Sequence, residues 1–378
     1  MMPKGQAMLR TLLSALAVLL PLGSAMAADR EVTDLAGRTV SVPARVERVI
    51  LGEGRYVPVL AILDRDDPTR RVVGQMGEFQ MLDPGTFAQY RERFPKLAEI
   101  QPIGRVSADS FNVAQAIALE PDVAIFGLEG HGPSPKAVET IAQLEAAGIA
   151  VVFVDFRRDP LRNTPRSVAL LGKVLGREAE AEEFTDFYDA ELKRVTDRIP
   201  ALATRPSVFL ESRVGLNDQC CETMVNGMMG RYIDVAGGHN VAAGIVPGEV
   251  GTVNVEHLLT REPDIYIGTA TGALSTMDKT PNRIVLGTGV TPELARASLE
   301  RATRRTGIAE LAAVREKRAF AIWHHFYNSP FNVAAVQAFA TWLHPQAFAG
   351  LDPQATLRTL YERFQPVPLN GTYWVGLK

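Results

Sequence analysis

Several short stretches of the chain gather side chains able to hold an anion, a metal complex or an aromatic surface. Glu53, Gly54, Arg55 and Tyr56 follow the apolar run Arg48–Leu51, and Met76, Glu78 and Phe79 follow Arg71–Val73. A glycine-rich loop, Gly127-Leu-Glu-Gly-His131-Gly132, follows Asp122–Phe126, and Ala150–Asp155 runs into Phe156, Arg157 and Arg158. Further on, Glu211-Ser-Arg213, Thr269-Ala-Thr271 and His324-His-Phe-Tyr327 follow Ser207–Leu210, Asp264–Ile267 and Ala319–Trp323. The planar fork of arginine donates to two anionic oxygens together and keeps its charge. Arg55, Arg157, Arg158 and Arg213 are therefore candidate anion contacts. Tyr56, Trp323, Phe326 and Tyr327 offer aromatic area, and the tyrosines add a hydroxyl. Met76 and His131 join them by their place in the loops. His324, His325 and Tyr327 carry atoms that can ligate iron. Neighbouring residues of a strand point to opposite faces, so at most one of the two histidines is expected to face a cleft, as a hydrogen-bonding group before a ligand. No His/Asp/Glu set has the spacing of a bare-zinc site, so no resident metal is expected.

The elements that must position these residues alternate. Short apolar runs of strand character are separated by helical patterns, the signature of α/β layers with mostly parallel sheets. Ligands of such sheets sit beyond the carboxyl ends of the strands, which is why the post-strand residues matter. Ser134 to Ala147 reads as a helix, with Ser134 as cap, Pro135 in its first turn and Gly148 at its stop. Phe184, Tyr188, Leu192, Val195 and Ile199 repeat at helical spacing until Pro200, predicting a helix over 178–199. Its 22 residues make about 33 Å of rod at ~1.5 Å per residue, long enough to bridge two lobes. An internal echo agrees. Asn112-Val through Glu120-Pro-Asp122 and Ile125 has its counterpart in Asn254-Val through Glu262-Pro-Asp264 and Ile267, 142 residues later. Each copy reads as a helix closed by proline and followed by a strand. The expected organisation is a first lobe over 28–177, the bridging helix over 178–199 and a second lobe over 200–378.

Residues 1–27 have Lys4 and Arg10 ahead of a ten-residue apolar run, then Ala25 and Ala27, the pattern of a cleavable export signal and too short for a membrane span. The expected compartment is the periplasm. With 40 basic and 43 acidic residues the chain offers no basic surface for nucleic acid. At 378 residues it has room for about two domains of ~150 residues each. Its two cysteines, Cys220 and Cys221, are too few for a disulfide scaffold. An oxidising compartment favours pairing them, but neighbouring Cα atoms lie ~3.8 Å apart, below the usual disulfide range of about 4.4–6.8 Å. A bridge and two thiols both stay open.

Four segments resemble the periplasmic substrate-binding proteins of ABC importers for iron–siderophore complexes, haem and vitamin B12. They are Val32-Thr-Asp-Leu-Ala-Gly-Arg-Thr-Val-Ser-Val-Pro43 with Arg48-Val-Ile50, Tyr232–Val241, Asn254–Asp264, and Gly307–Val314 leading to Ile322–Pro330. The last is similar to the iron-complex branch. The resemblance implies two Rossmann-like lobes, each a mostly parallel sheet flanked by helices, joined by one rigid helix with the ligand between them. It implies a monomer that captures a ferric siderophore, with haem, cobalamin or another metal–chelator complex as the alternative cargo, and hands it to an inner-membrane permease–ATPase complex. It also implies a docking glutamate on each lobe. Glu256 holds the second-lobe position, whereas the echo places Ala114 at the first, leaving Glu120 or Asp109 as substitutes or an apolar first-lobe contact. No enzyme and no intrinsic cofactor are expected: Gly52-Glu-Gly54-Arg-Tyr-Val57 is an incomplete dinucleotide loop, and no nucleophile elbow, Walker loop or His-Glu-x-x-His helix is present.

Overall fold

The computed structural model describes residues 28–217 and 220–377; the export signal expected over 1–27 lies outside them. All seven expected strands form, within a residue or two at most ends. The first lobe holds a five-stranded, wholly parallel sheet in the order Gln101–Gly104, Val72–Met76, Val49–Leu51, Val123–Gly127, Ala150–Val154. Its order reverses between Val49–Leu51 and Val123–Gly127, and such a switch opens a crevice at the carboxyl ends. The second lobe's sheet is parallel at its centre, where Ser207–Glu211, Ile265–Ala270 and Ala319–Trp323 pair, and takes antiparallel strands at its edges. Those edges, Glu222–Met224, Val250–Thr252 and Trp374–Gly376, are only three residues long, too short to leave a periodic signal.

The repeated Asn-Val/Glu-Pro-Asp element does the same work in each lobe. Asn112 and Asn254 cap the helices Val113–Ala118 and Val255–Arg261 through their side chains. Glu120 and Glu262 end them in the left-handed region, with φ of 45° and 42°. The aspartates then hold the entry to the neighbouring strand. Asp122 Oδ2 accepts from Glu47 N and Arg48 N at 2.7 and 2.8 Å, and Asp264 Oδ2 from the Ser207 amide and hydroxyl at 2.8 and 2.7 Å. Asp264→Ala is expected to cost about 1–2 kcal/mol in urea unfolding, the worth of hydrogen bonds to a half-exposed charged acceptor; no loss would mean that Asp264 does not tie the two strands together.

The bridging helix runs over Glu178–Thr196, three residues shorter than expected. Pro200 explains the difference: its ring would clash with the carbonyl four residues back, at Thr196. The helix buries Phe184 and Tyr188 and bonds to both sides. Glu183 pairs with Arg65 and Arg363, and the Tyr188 hydroxyl donates to Asn332 Oδ1 at 2.6 Å. The helix expected from Ser134 starts instead at Val138. Ser134 closes a turn ahead of it, its carbonyl accepting from Ala137 N.

Candidate ligand-binding cleft

A cavity of about 390 Å³ opens between the lobes. The first lobe contributes Met81, Leu82, Pro84, His131 and Arg157, and the second Ser212, Arg213, Glu222, Met228, Thr271, Arg283, His324, His325 and Tyr327 among others. Most come from segments just past strand ends. Behind its floor lies Glu53, buried at 1% exposure. Its carboxylate accepts from Arg55 Nη2 at 3.1 Å, Arg157 Nη2 at 3.4 Å, the His131 amide at 3.3 Å, and Asn328 Nδ2 of the opposite lobe. Burial alone would push Glu53 up; the charges of Arg157 and Arg55 overcome it and hold the carboxyl below its usual range. Arg157 reaches past Glu53 to donate to the Tyr327 hydroxyl at 3.2 Å and lies 4.9 Å over that ring. Arg213, at φ 51°, forms a close ion pair with Glu222, with Nη2 contacts of 2.5 and 2.6 Å. Arg283 has no carboxylate partner among the described residues.

The partners of His325 fix it as a neutral tautomer. Arg55 can only donate, so its 2.9 Å contact makes His325 Nδ1 an acceptor and leaves Nε2–H to donate to the Leu82 carbonyl at 2.9 Å. Burial and then the Arg55 charge hold its pKa well below the ordinary histidine value. His324, depressed first by burial and then by His325, uses Nδ1 toward the Thr269 hydroxyl at 2.9 Å. Its Nε2 has no hydrogen bond among the described residues, and the side chain lines the cavity. His131 donates from Nδ1 to the Val106 carbonyl at 2.6 Å. Lobe-spanning arginines, a tyrosine hydroxyl and unprotonated imidazoles thus line one cleft, an arrangement for holding an anionic or metal-bearing solute.

Residues 85–320 match the periplasmic binding protein family. The chain belongs to that family. A TroA-like periplasmic binding protein, FepB, from Veillonella parvula superposes with a TM-score of 0.81 at 26% identity, over 92% of this chain and 99% of that one. The molybdate-binding protein MolA of Haemophilus influenzae is 22% identical over 89% of this chain and 91% of its own. A periplasmic haem-binding protein, RhuT, from Roseiflexus sp. RS-1 shares the fold with a TM-score of 0.55 at 18% identity, over 80% of this chain and 99% of that one. Members of the family are solute-binding proteins that work with ABC transporter permease–ATPase complexes. No helix among the described residues of this binding protein is long and apolar enough to cross a membrane.

Of the residues singled out in the sequence, this binding protein brings His131, Arg157, Arg213, His325 and Tyr327 to the cavity wall. The others stand elsewhere. Arg55 is 5% exposed and one layer behind, bonded to Glu53, His325 and Tyr327, because the turn Gly54–Tyr56 leads straight into a helix, Val57–Leu63, buried on every side. Tyr56 is core, its ring 5.6 Å from Phe156. Met76 is fully buried against Gly104, within the first sheet. Trp323, the last strand residue, packs between Tyr373 and Phe326. Arg158 sits outside the wall, half-exposed, 3.7 Å from Glu129 of its own lobe and Glu249 of the other. Both His324 and His325 line the cavity, against the expectation of one. They lie on the 3₁₀ turn His324–Asn328 rather than on a strand, so strand alternation does not separate them. Cys220 and Cys221 are paired, just before Glu222 of the wall. Glu256 is exposed in the first turn of its helix, and Ala114 is exposed on the echoing helix. Arg283 and Met228 also line the cavity, from loops in which no motif marks them.

Proposed function

We propose that this binding protein captures a ferric siderophore between its lobes in the periplasm, after removal of residues 1–27, and delivers it as a monomer to an inner-membrane ABC importer. The observation that carries the reading is the set Arg157, Arg213 and Arg283, drawn from both lobes onto one cavity with the Tyr327 hydroxyl. At about 390 Å³ the cavity falls in the range of roughly 300–1,000 Å³ typical of small-molecule sites, far roomier than a bare tetrahedral oxyanion requires. Arg213 is neutralised by Glu222 and Arg157 by Glu53, so among the described residues Arg283 supplies the charge without a carboxylate partner. Lobe closure around the cargo makes permease recognition depend on occupancy, with exposed Glu256 as a docking contact.

Native mass spectrometry of protein purified from its own periplasm weighs the cargo directly. Titration with an anionic ferric chelate is expected to quench tryptophan fluorescence, and the iron-free chelator to bind more weakly. Arg283→Ala is expected to weaken the ferric complex at least tenfold, about 1.4 kcal/mol, with unchanged urea stability; a change under twofold overturns the role of Arg283. The second reading is haem or another complex with an open coordination position. His324 favours it: the neutral ring lines the cavity, and in the tautomer whose Nδ1–H donates to Thr269 its Nε2 lone pair is available to a metal. A Soret band in protein expressed with haem supplied, absent from His324→Ala, would decide for it.

A further inference from the structure

The cleft wall carries two chemistries, charged and apolar. Among the described residues only five large apolar side chains are exposed, and Met81, Val250 and Leu274 are three of them, at 57%, 44% and 44%. Met81 of the first lobe and Val250 of the second line the cavity. Leu274 begins the turn Leu274–Lys279, whose Thr276 also lines it. Exposed apolar side chains scattered singly need no explanation, but Met81 and Val250, brought from two lobes onto one cavity beside Arg157, Arg213 and Arg283, do. In water they gain nothing. They gain when something apolar lies against them while a charged group occupies Arg157, Arg213 and Arg283.

We infer that the cargo is amphiphilic: an anionic chelate head that fills the cavity, bearing an alkyl chain that leaves it over Met81 and Val250. This rests on the reading of the cleft as a metal–chelate site. A compact, wholly polar chelate would leave the rim wet and give it no part in recognition. An alkyl chain covers it, and each methylene taken out of water multiplies affinity by a factor of about four. The two rim residues come from different lobes, so the chain would bind fully only after closure.

The test uses the processed protein and two ferric bis-catecholates that share one head, one ending in a methyl amide and the other in an octyl amide. Tryptophan quenching and calorimetry read both affinities. The octyl complex is expected to bind at least tenfold more tightly, and Met81→Ser with Val250→Ser to bring the ratio within threefold. Equal binding of the two complexes by the unaltered protein, within twofold, overturns the inference and leaves the metal–chelate reading standing. An octyl preference that survives both substitutions overturns the assignment of the rim. Binding of neither complex sinks the metal–chelate reading itself, and the inference with it.

Discussion

Glu53→Ala is expected to destabilise the protein by about 3–5 kcal/mol, the cost of removing one partner from a buried ion pair and leaving the other charges uncompensated. Here Arg157 is left with no carboxylate among the described residues, and Arg55 keeps only Glu78, 3.7 Å from its Nε. Arg55 is 5% exposed, and the Arg157 side chain is 18% exposed. Each keeps its Tyr327 contact at about the length of an ordinary hydrogen bond, but a phenol carries no countercharge. The substitution also removes the acceptor of Asn328 Nδ2, one of the bonds that joins the lobes beneath the cavity. Urea unfolding measures the loss. Glu53→Gln separates charge from volume, since the amide fills the same space without a charge, and it is expected to recover less than half of the stability. A cost below 1 kcal/mol for Glu53→Ala would mean that water reaches these arginines and that the hub is not a closed network. The same change is expected to weaken cargo binding about tenfold, because Arg157 would lose the group that holds its guanidinium against Tyr327.

Glu53 also marks the boundary of what could be read without a structure. It was visible as a post-strand residue of the kind that faces a crevice, as were His131, Arg157, Arg213, His325 and Tyr327, which do line one. A strand end fixes where a residue emerges and not which way its side chain leans. Tyr56 and Met76 emerge at the right level and then lean into the first lobe, against Phe156 and Gly104, while Arg55 is taken up behind the wall by Glu53, His325 and Tyr327. The echo around Asp122 and Asp264 was legible because proline, asparagine and aspartate act locally, on a helix end or the next strand's first amides. Arg283 was not. It reaches the cavity from a loop after Thr269-Ala-Thr271, and nothing in its local sequence distinguishes it from a solvated arginine. The histidine pair departs from strand alternation for a related reason: the strand ends at Trp323, and the chain has already turned at His324.

Glu78 should give the protein an acid-side stability that it loses near neutrality. The carboxyl is fully buried; Oε1 accepts from the Arg55 amide at 3.0 Å, and Oε2 has no partner. Burial first and the neighbouring Glu53 charge second push its pKa up to about 7, against an ordinary 4.5. Between those values the folded state holds a proton that the unfolded chain releases. The stability from Glu78 is therefore fully present below pH 4.5 and is lost as pH rises through about 7. The histidines work in the opposite sense: His324 and His325 are held neutral, so the unfolded chain takes up their protons below about 6.5 and acid destabilises the fold. A single pH curve mixes the two effects, and a difference between variants separates them. Glu78→Gln keeps the shape and removes the titration, while both histidines remain in each protein. Its stability relative to the parent is expected to climb between pH 5 and pH 8 by roughly 2.5 kcal/mol, most of what a rise from 4.5 to about 7 is worth. Urea midpoints taken at half-unit intervals, with the slope checked for constancy, measure that climb. A flat difference would mean that Glu78 ionises with its ordinary affinity, its charge balanced by Arg55.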